Sequence, residues 1–181
     1  MRIITGSARG TQLKTLEGDE TRPTSERIKE AIFSSIQFEI HDRSVLDLFG
    51  GSGQLALEAL SRGASTAIIC DNSRAATEII KGNIAKTNFT DRCRVVTSDW
   101  KDFLKGNSQK FSLVILDPPY KDRFMDEVLQ RIFAANILTD NAIIICETSI
   151  ESVPVPPDNA VCKGYKYGKT YISIIRNSKN I

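Results

Sequence analysis

An acid, two prolines and an aromatic ring stand directly after a run of apolar residues. Ser112-Leu113-Val114-Ile115-Leu116 leads into Asp117-Pro118-Pro119-Tyr120. The apolar run does not alternate with polar residues, the pattern of a strand buried on both faces of a parallel sheet. Neither proline can donate a backbone hydrogen bond, and each fixes its own φ, so the strand must end there. The prolines make a stiff loop at the strand's carboxyl end, where open α/β sheets bind ligands. Its groups suit an exocyclic amine on a planar base. Asp117 and the Pro118 carbonyl can accept both amine hydrogens and so aim the nitrogen lone pair, while Tyr120 can stack on the ring. The plainer reading is a structural Pro-Pro turn whose acid caps a helix and whose tyrosine is a rim residue.

A second constellation lies upstream. Ser44-Val45-Leu46-Asp47-Leu48-Phe49 reads as a core strand, leading into Gly50-Gly51-Ser52-Gly53 and a helix from Gln54 to Arg62. Strand, glycine loop, helix opens a nucleotide-binding βαβ unit: glycines let the backbone approach a ligand, and the helix N-terminus presents amides to it. No Gly-Lys-Ser/Thr comes next, which excludes a Walker loop, and no third glycine completes the dinucleotide GxGxxG pattern. Thr66 to Cys70 is a second strand closing on Asp71, roughly 20 residues past the glycines, where an acid accepts from ribose hydroxyls. Asp71 could equally cap the next helix. A third strand, Arg94 to Thr97, ends at Ser98-Asp99-Trp100. Asp99 can accept from an adenine N6 amine while the Trp100 amide serves a ring nitrogen. The plainer alternative makes Asp99 a helix cap and Trp100 packing.

The elements that must position these loops fit one domain over residues 1–181, with 1–20 as an N-terminal hairpin or arm. Hydrophobic residues make up 41% and charged residues 25%, the composition of a soluble globular protein with a sizeable core. A net charge of +2 is compatible with a nucleic-acid partner without demanding one. No apolar run is long enough to span a bilayer, and no signal-peptide block opens the chain. Cys70, Cys93, Cys146 and Cys162 form no CxxC pair; Cys70 and Cys146 end apolar strand-like runs and are expected to be buried thiols, in a reduced cytoplasmic setting without a metal site.

In the arm, Ile3, Ile4, Leu13 and Leu16 are interspersed with Arg2, Arg9 and Lys14, which either bind phosphates or form a solvated edge. Thr24 or Ser25 is placed to cap a helix whose apolar stripe is Ile28, Ala31, Ile32 and Ile36, with Arg27 and Lys29 off it. Arg74 to Lys86 is a helix with Ala75, Ile79, Ile80 and Ile84 inward, weakened by Gly82. Phe124 to Phe133 is an amphipathic helix, and Asn141 to Cys146 a fifth buried strand. A last hairpin pairs Ala160–Tyr165 with Thr170–Arg176 around Tyr167-Gly168. His41 sits in a surface turn.

Taken together, these segments resemble the RsmD-type methyltransferases of small-subunit ribosomal RNA. Asp-Pro-Pro-Tyr and the glycine loop are shared by many amino-methyltransferases. Closer to RsmD are Arg22-Pro23-Thr24 with Arg27, Glu30 and Phe33, and the helix Leu57-Glu58-Ala59-Leu60-Ser61-Arg62-Gly63-Ala64. The resemblance covers essentially the whole chain. Lys169 after Gly168 departs from it, since an acid is expected there. The resemblance implies a Rossmann-like α/β fold: a seven-stranded sheet, parallel but for one strand, with helices on both faces. It implies S-adenosylmethionine as cofactor, held by Asp47, Gly50, Gly51, Ser52, Gly53, Asp71, Asp99 and Trp100. Asp47 would shape the loop and meet the methionine end.

The resemblance further implies 16S ribosomal RNA, or a small subunit or assembly intermediate, as partner. The reaction would be methylation of a guanine N2 amine by a monomeric cytoplasmic enzyme, with Asp117, Pro118, Pro119 and Tyr120 as catalytic loop. Arg2, Arg9, Lys14, Arg22, Lys121 and Arg123 are candidate RNA contacts. Three rivals share parts of this pattern. An adenine-N6 methyltransferase of DNA or RNA would share the loop, but a DNA enzyme would need room for a target-recognition domain. A protein glutamine methyltransferase would carry Asn in place of Asp117. A cofactor-binding assembly factor would not turn over.

Overall fold

A computed structural model describes residues 1–16, 26–118, 124–148, 154–156 and 160–177. Seven strands form one sheet in the order β3-β2-β1-β4-β5-β7-β6. They are β1 Ser44–Asp47, β2 Thr66–Asp71, β3 Cys93–Thr97, β4 Phe111–Leu116, β5 Leu138–Thr148, β6 Ala160–Tyr167 and β7 Thr170–Asn177. Strands β1 to β5 pair in parallel, and β7 alone runs against its neighbours. The helices are α1 Glu26–Ser35, α2 Gln54–Ser61, α3 Arg74–Thr87, α4 Trp100–Gly106 and α5 Phe124–Ala134. One core packs α1, α2, α3 and the arm on one face of the sheet; a second packs α4 and α5 on the other. This is the Rossmann-like methyltransferase architecture the resemblance implied. Among the described residues no helix is long and apolar enough to cross a membrane.

The sheet explains why β1 and β4 read as unbroken apolar runs: both are central and covered on both sides. Because they are parallel neighbours, with Asp47 opposite Ile115, the glycine turn and the Asp117 loop leave the same end of the sheet. The chain moves outward from β1 to β3 and then crosses to β4, so the crevice between those loops is the point where strand order reverses. At the opposite end, Arg43 is 9% exposed and donates to the carbonyls of Glu39, Ser112 and Asn141. It closes the amino ends of β1, β4 and β5.

The first sixteen residues form a hairpin-like arm. Ile3 and Thr11, Gly10 and Ile3, and Leu13 and Met1 are joined by backbone hydrogen bonds, and Arg2 bridges Gln12. Its apolar residues Ile3, Ala8 and Leu13 are buried in the larger core. Polar groups complete the docking. The Glu58 carboxylate accepts from the Ile4 and Thr5 amides at 2.8 and 3.1 Å, and the Ser61 hydroxyl oxygen accepts from the Ala8 amide at 3.0 Å.

Two helical stripes differ from expectation. In α1 the buried positions are Lys29, Ile32 and Phe33, with Ile36 just beyond, while Ile28 and Ala31 are only half-buried. The stripe is rotated by one residue because Lys29 is inside: its Nζ donates to the Arg2 carbonyl at 2.6 Å and lies 3.4 Å from Glu58. Burial pulls the Lys29 ammonium down from its usual range, and Glu58 opposes that. In α3, Ala75 is exposed and Ile79 half-buried; Ala76, Thr77, Ile80, Asn83 and Ile84 face inward. Several strands also extend past their expected ends: β5 begins at Leu138, and β6 runs on to Tyr167, leaving Gly168 and Lys169 as the turn. Residues 17–25, and with them Arg22 and the expected caps Thr24 and Ser25, lie outside the described residues.

Candidate active site

The turn after β1 is built by its glycines. Gly51 and Gly53 have φ of 55° and 77°, a backbone region that penalises a Cβ. At Gly50 the obstacle is space, since a Cβ there would lie 2.4 Å from Ile69 Cγ2. The turn is pinned by Gly50 N to Cys70 O at 2.8 Å and Gly53 N to Gly50 O at 2.7 Å. It delivers the chain into α2, all eight residues of which are buried.

Asp71, at the end of β2, reaches back to this turn. Its Oδ2 accepts from the Gly51 amide at 2.9 Å and its Oδ1 from the Ser73 amide at 2.8 Å. The N-cap of α3 is Ser73, whose hydroxyl accepts from Ala76, so Asp71 is not the cap itself. Asp99 is a cap: it precedes α4 and its Oδ1 accepts from the Lys101 amide at 2.8 Å. Trp100 is buried and packs edge-on against Phe124 at 5.6 Å and tilted against Phe49 at 6.3 Å. The plainer readings of Asp99 and Trp100 are therefore realised, and both residues still face the same crevice.

That crevice is a cavity of about 610 Å³. Its walls include Asp47, Gly50, Gly51, Ser52, Asp71, Asp99, Trp100, Asp117 and Pro118. Every expected site residue within the described part of the chain lines it, except Gly53, which sits beneath the turn against Ile69 and Ile80. Pro119, Tyr120, Lys121 and Arg123 lie outside the described residues. The two loops singled out in sequence thus share one chamber. Of the other basic candidates, Arg2 pairs with Glu26 at 3.1 Å, and Arg9 and Lys14 are exposed.

Asp47 is 2% exposed, and its carboxyl is pushed up to about 7, mainly by burial. The nearby Asp71 adds to the rise, while the backbone amides of Phe49 and Ala56 oppose it. Its Oδ1 and the Gln54 Oε1 are buried without a hydrogen-bond partner among the described residues, and both residues line the cavity. Unsatisfied buried acceptors are rare and costly, and ones facing a cavity suit a ligand that donates hydrogen bonds or carries positive charge.

A family model described as "Conserved hypothetical protein 95" matches residues 1–176. The Escherichia coli (strain K12) protein "Ribosomal RNA small subunit methyltransferase D" is 34% identical over 160 residues, 88% of this chain and 80% of its own length. This chain belongs to the RsmD family. "Putative rRNA methyltransferase YlbH" of Bacillus subtilis (strain 168) is 33% identical over 97% of the chain and 98% of its own length. Among solved structures, "Putative methyltransferase yhhF from Escherichia coli" superposes with a TM-score of 0.90 at 31% identity, each chain 99% covered. The chain is accordingly a methyltransferase.

In this RsmD-family member, the cavity residues furthest in sequence from the expected ones come from the arm. They are Met1, Thr15 and Leu16, more than 30 residues before the glycine turn. Their link is Asn83, which is fully buried on α3. Its Nδ2 donates to the carbonyls of both Lys14 and Ser52 at 2.9 Å, and its Oδ1 accepts from the Lys14 amide at 2.8 Å. One side chain thus ties the arm to the glycine turn. The only available signal was an amide on the inward face of a helix, which by itself indicates no partner.

Proposed function

We propose that this RsmD-family enzyme methylates the exocyclic N2 amine of a guanine in small-subunit ribosomal RNA, using S-adenosylmethionine. The observation that carries the reading is the shared cavity: Asp117 and Pro118 line it together with the glycine turn, Asp71 and Asp99. Relatives named for small-subunit ribosomal RNA methylation support the substrate class.

The residues present fit the cofactor. Asp71 has already committed one lone pair of each oxygen to an amide, and a carboxylate oxygen can accept more than one hydrogen bond. It would accept from the ribose hydroxyls. Asp99 would take the adenine amine beside the first amide of α4, and the unpartnered acceptors of Asp47 and Gln54 would face the cationic methionine end. When bound, the cofactor supplies a methyl group already activated by its sulfonium, so the protein's work is to position and orient. Asp117 and the Pro118 carbonyl would accept the two N2 hydrogens and aim the lone pair. Tyr120 would stack on the base, which must be unpaired or flipped out to enter. No nucleophilic side chain is required. The substrate is an exposed base in the small subunit or an assembly intermediate, in the cytoplasm.

Two measurements test this. Tritium from labelled cofactor should enter the small-subunit RNA of cells lacking the protein, at one guanine N2; label appearing in DNA or protein instead would overturn the substrate. Asp117→Ala should abolish transfer while the cofactor dissociation constant, read by calorimetry, stays near that of the wild type. Sustained turnover in that variant would remove Asp117 from the mechanism.

A further inference from the structure

The β6–β7 hairpin has no part in methyl transfer itself, yet the topology lifts its turn above the active end of the sheet. Leu116, the last residue of β4, lies opposite Cys146 of β5, and Cys146 lies opposite Ser173 of β7. From Ser173 the chain of β7 reaches back past Tyr171, which faces Thr148 at the end of β5, to Thr170 opposite Tyr167. The Gly168-Lys169 turn therefore overshoots the level of Leu116, where the Asp117 loop begins, by on the order of 16 Å. It stands two strands to the side, about 10 Å away. The hairpin tip is therefore a wall at the same end of the sheet as the cavity.

The chemistry of that wall is one-sided. Residues 160–177 contain Lys163, Lys166, Lys169 and Arg176 and no Asp or Glu, a charge of +4 against +2 for the whole chain. The rest of the molecule is therefore net acidic. Arg176 is engaged by Glu39 at 2.6 Å, on the stem. Nearer the turn, Tyr165, Lys166 and Lys169 are all exposed, and Lys166 Nζ lies 5.4 Å from the centre of the Tyr171 ring. Exposed cations interleaved with aromatic rings match a single-stranded polyanion with flat bases.

We infer that the hairpin tip, Tyr165 to Tyr171, is a docking surface for the backbone of the substrate RNA strand next to the reacting base. Lys166 and Lys169 contact phosphates, with the Tyr171 ring beside Lys166 on the same face. Such contacts fix the register of the strand over the cavity without reading its sequence. Lys169, where the family resemblance leads one to expect an acid, strengthens the positive field in this chain. The inference rests on the RNA substrate proposed above.

The test compares the full-length wild type with Lys166→Ala/Lys169→Ala, using unmethylated small-subunit RNA and particles from cells lacking the protein. Loss of two single-strand phosphate contacts should lower the slope of log affinity against log salt by about 1.4. The KM for RNA should rise several-fold while the cofactor dissociation constant and melting temperature stay put. Lys166→Arg/Lys169→Arg, which keeps both charges, should retain the wild-type slope. An alanine pair with unaltered slope and KM, in an enzyme whose wild type methylates the RNA, overturns the hairpin surface alone. A wild type that neither binds nor methylates the RNA overturns the substrate assignment, and the hairpin surface with it.

Discussion

Asp47 combines a catalytic-cavity position with an energetic liability. Its carboxyl titrates near 7 in the folded chain, against an ordinary value of 3.8. The folded value is the higher one, so between these limits the folded state holds the extra proton. Stability from this group is complete below the unfolded value and is lost as pH rises through the folded one, by on the order of a few kcal/mol. Asp47→Asn should therefore show a melting temperature that changes less than the wild type's between about pH 5 and 8, measured without cofactor. Asp71→Ala should weaken cofactor binding, and it should also loosen the turn, because the Gly51 and Ser73 amides lose their acceptor. An unchanged calorimetric dissociation constant would refute the ribose role. The acids were legible because each ends an apolar strand. Their partners were not: Gly51 and Asp71 are 20 residues apart, and nothing in the spacing says which amide a carboxylate will meet.

At the scale of elements, α1 shows where a periodic pattern misleads. Ile28, Ala31, Ile32 and Ile36 make a consistent stripe, but a lysine with a buried partner can join the inner face and turn the helix by one position. The relevant partner, Glu58, lies on α2 and also meets Arg62 Nε at 2.7 Å. Lys29→Ala would leave the buried Glu58 with Arg62 as its remaining cation and the Arg2 carbonyl without this donor, so it should cost about 2 kcal/mol in denaturant unfolding. Asn83→Ala would leave the Lys14 amide and two carbonyls short of a partner. A loss of about 2 kcal/mol is expected, together with a raised cofactor dissociation constant. A variant destabilised to that degree but binding cofactor normally would show that the arm is not part of the cavity's working wall.

For the molecule as a whole, the α/β class could be read from the alternation of apolar runs and amphipathic helices as far as β5, while the order of the strands in the sheet could not. The closing hairpin was legible as two segments around Tyr167-Gly168, but its place in a seven-stranded sheet with one reversed strand came from the family resemblance, because half-exposed strands such as β6 carry no continuous apolar signal. Two of the four thiols are closed off inside the sheet, as their place at the ends of apolar runs led one to expect. Cys70 and Cys146 are fully buried, and burial pushes Cys70 up to about 12 and Cys146 higher still. A thiol reagent at mildly alkaline pH should label neither until the protein is unfolded, which mass spectrometry of tryptic peptides will show. The arm carries a different implication. Its polar anchors are Glu58, Ser61 and Asn83, at sequence separations of 53 to 69. Contacts that distant close large loops and gain nothing until α2 and α3 are seated on the sheet. During refolding, then, Trp100 fluorescence should recover before cofactor binding does, and the lag between the two traces would time the docking of the first sixteen residues.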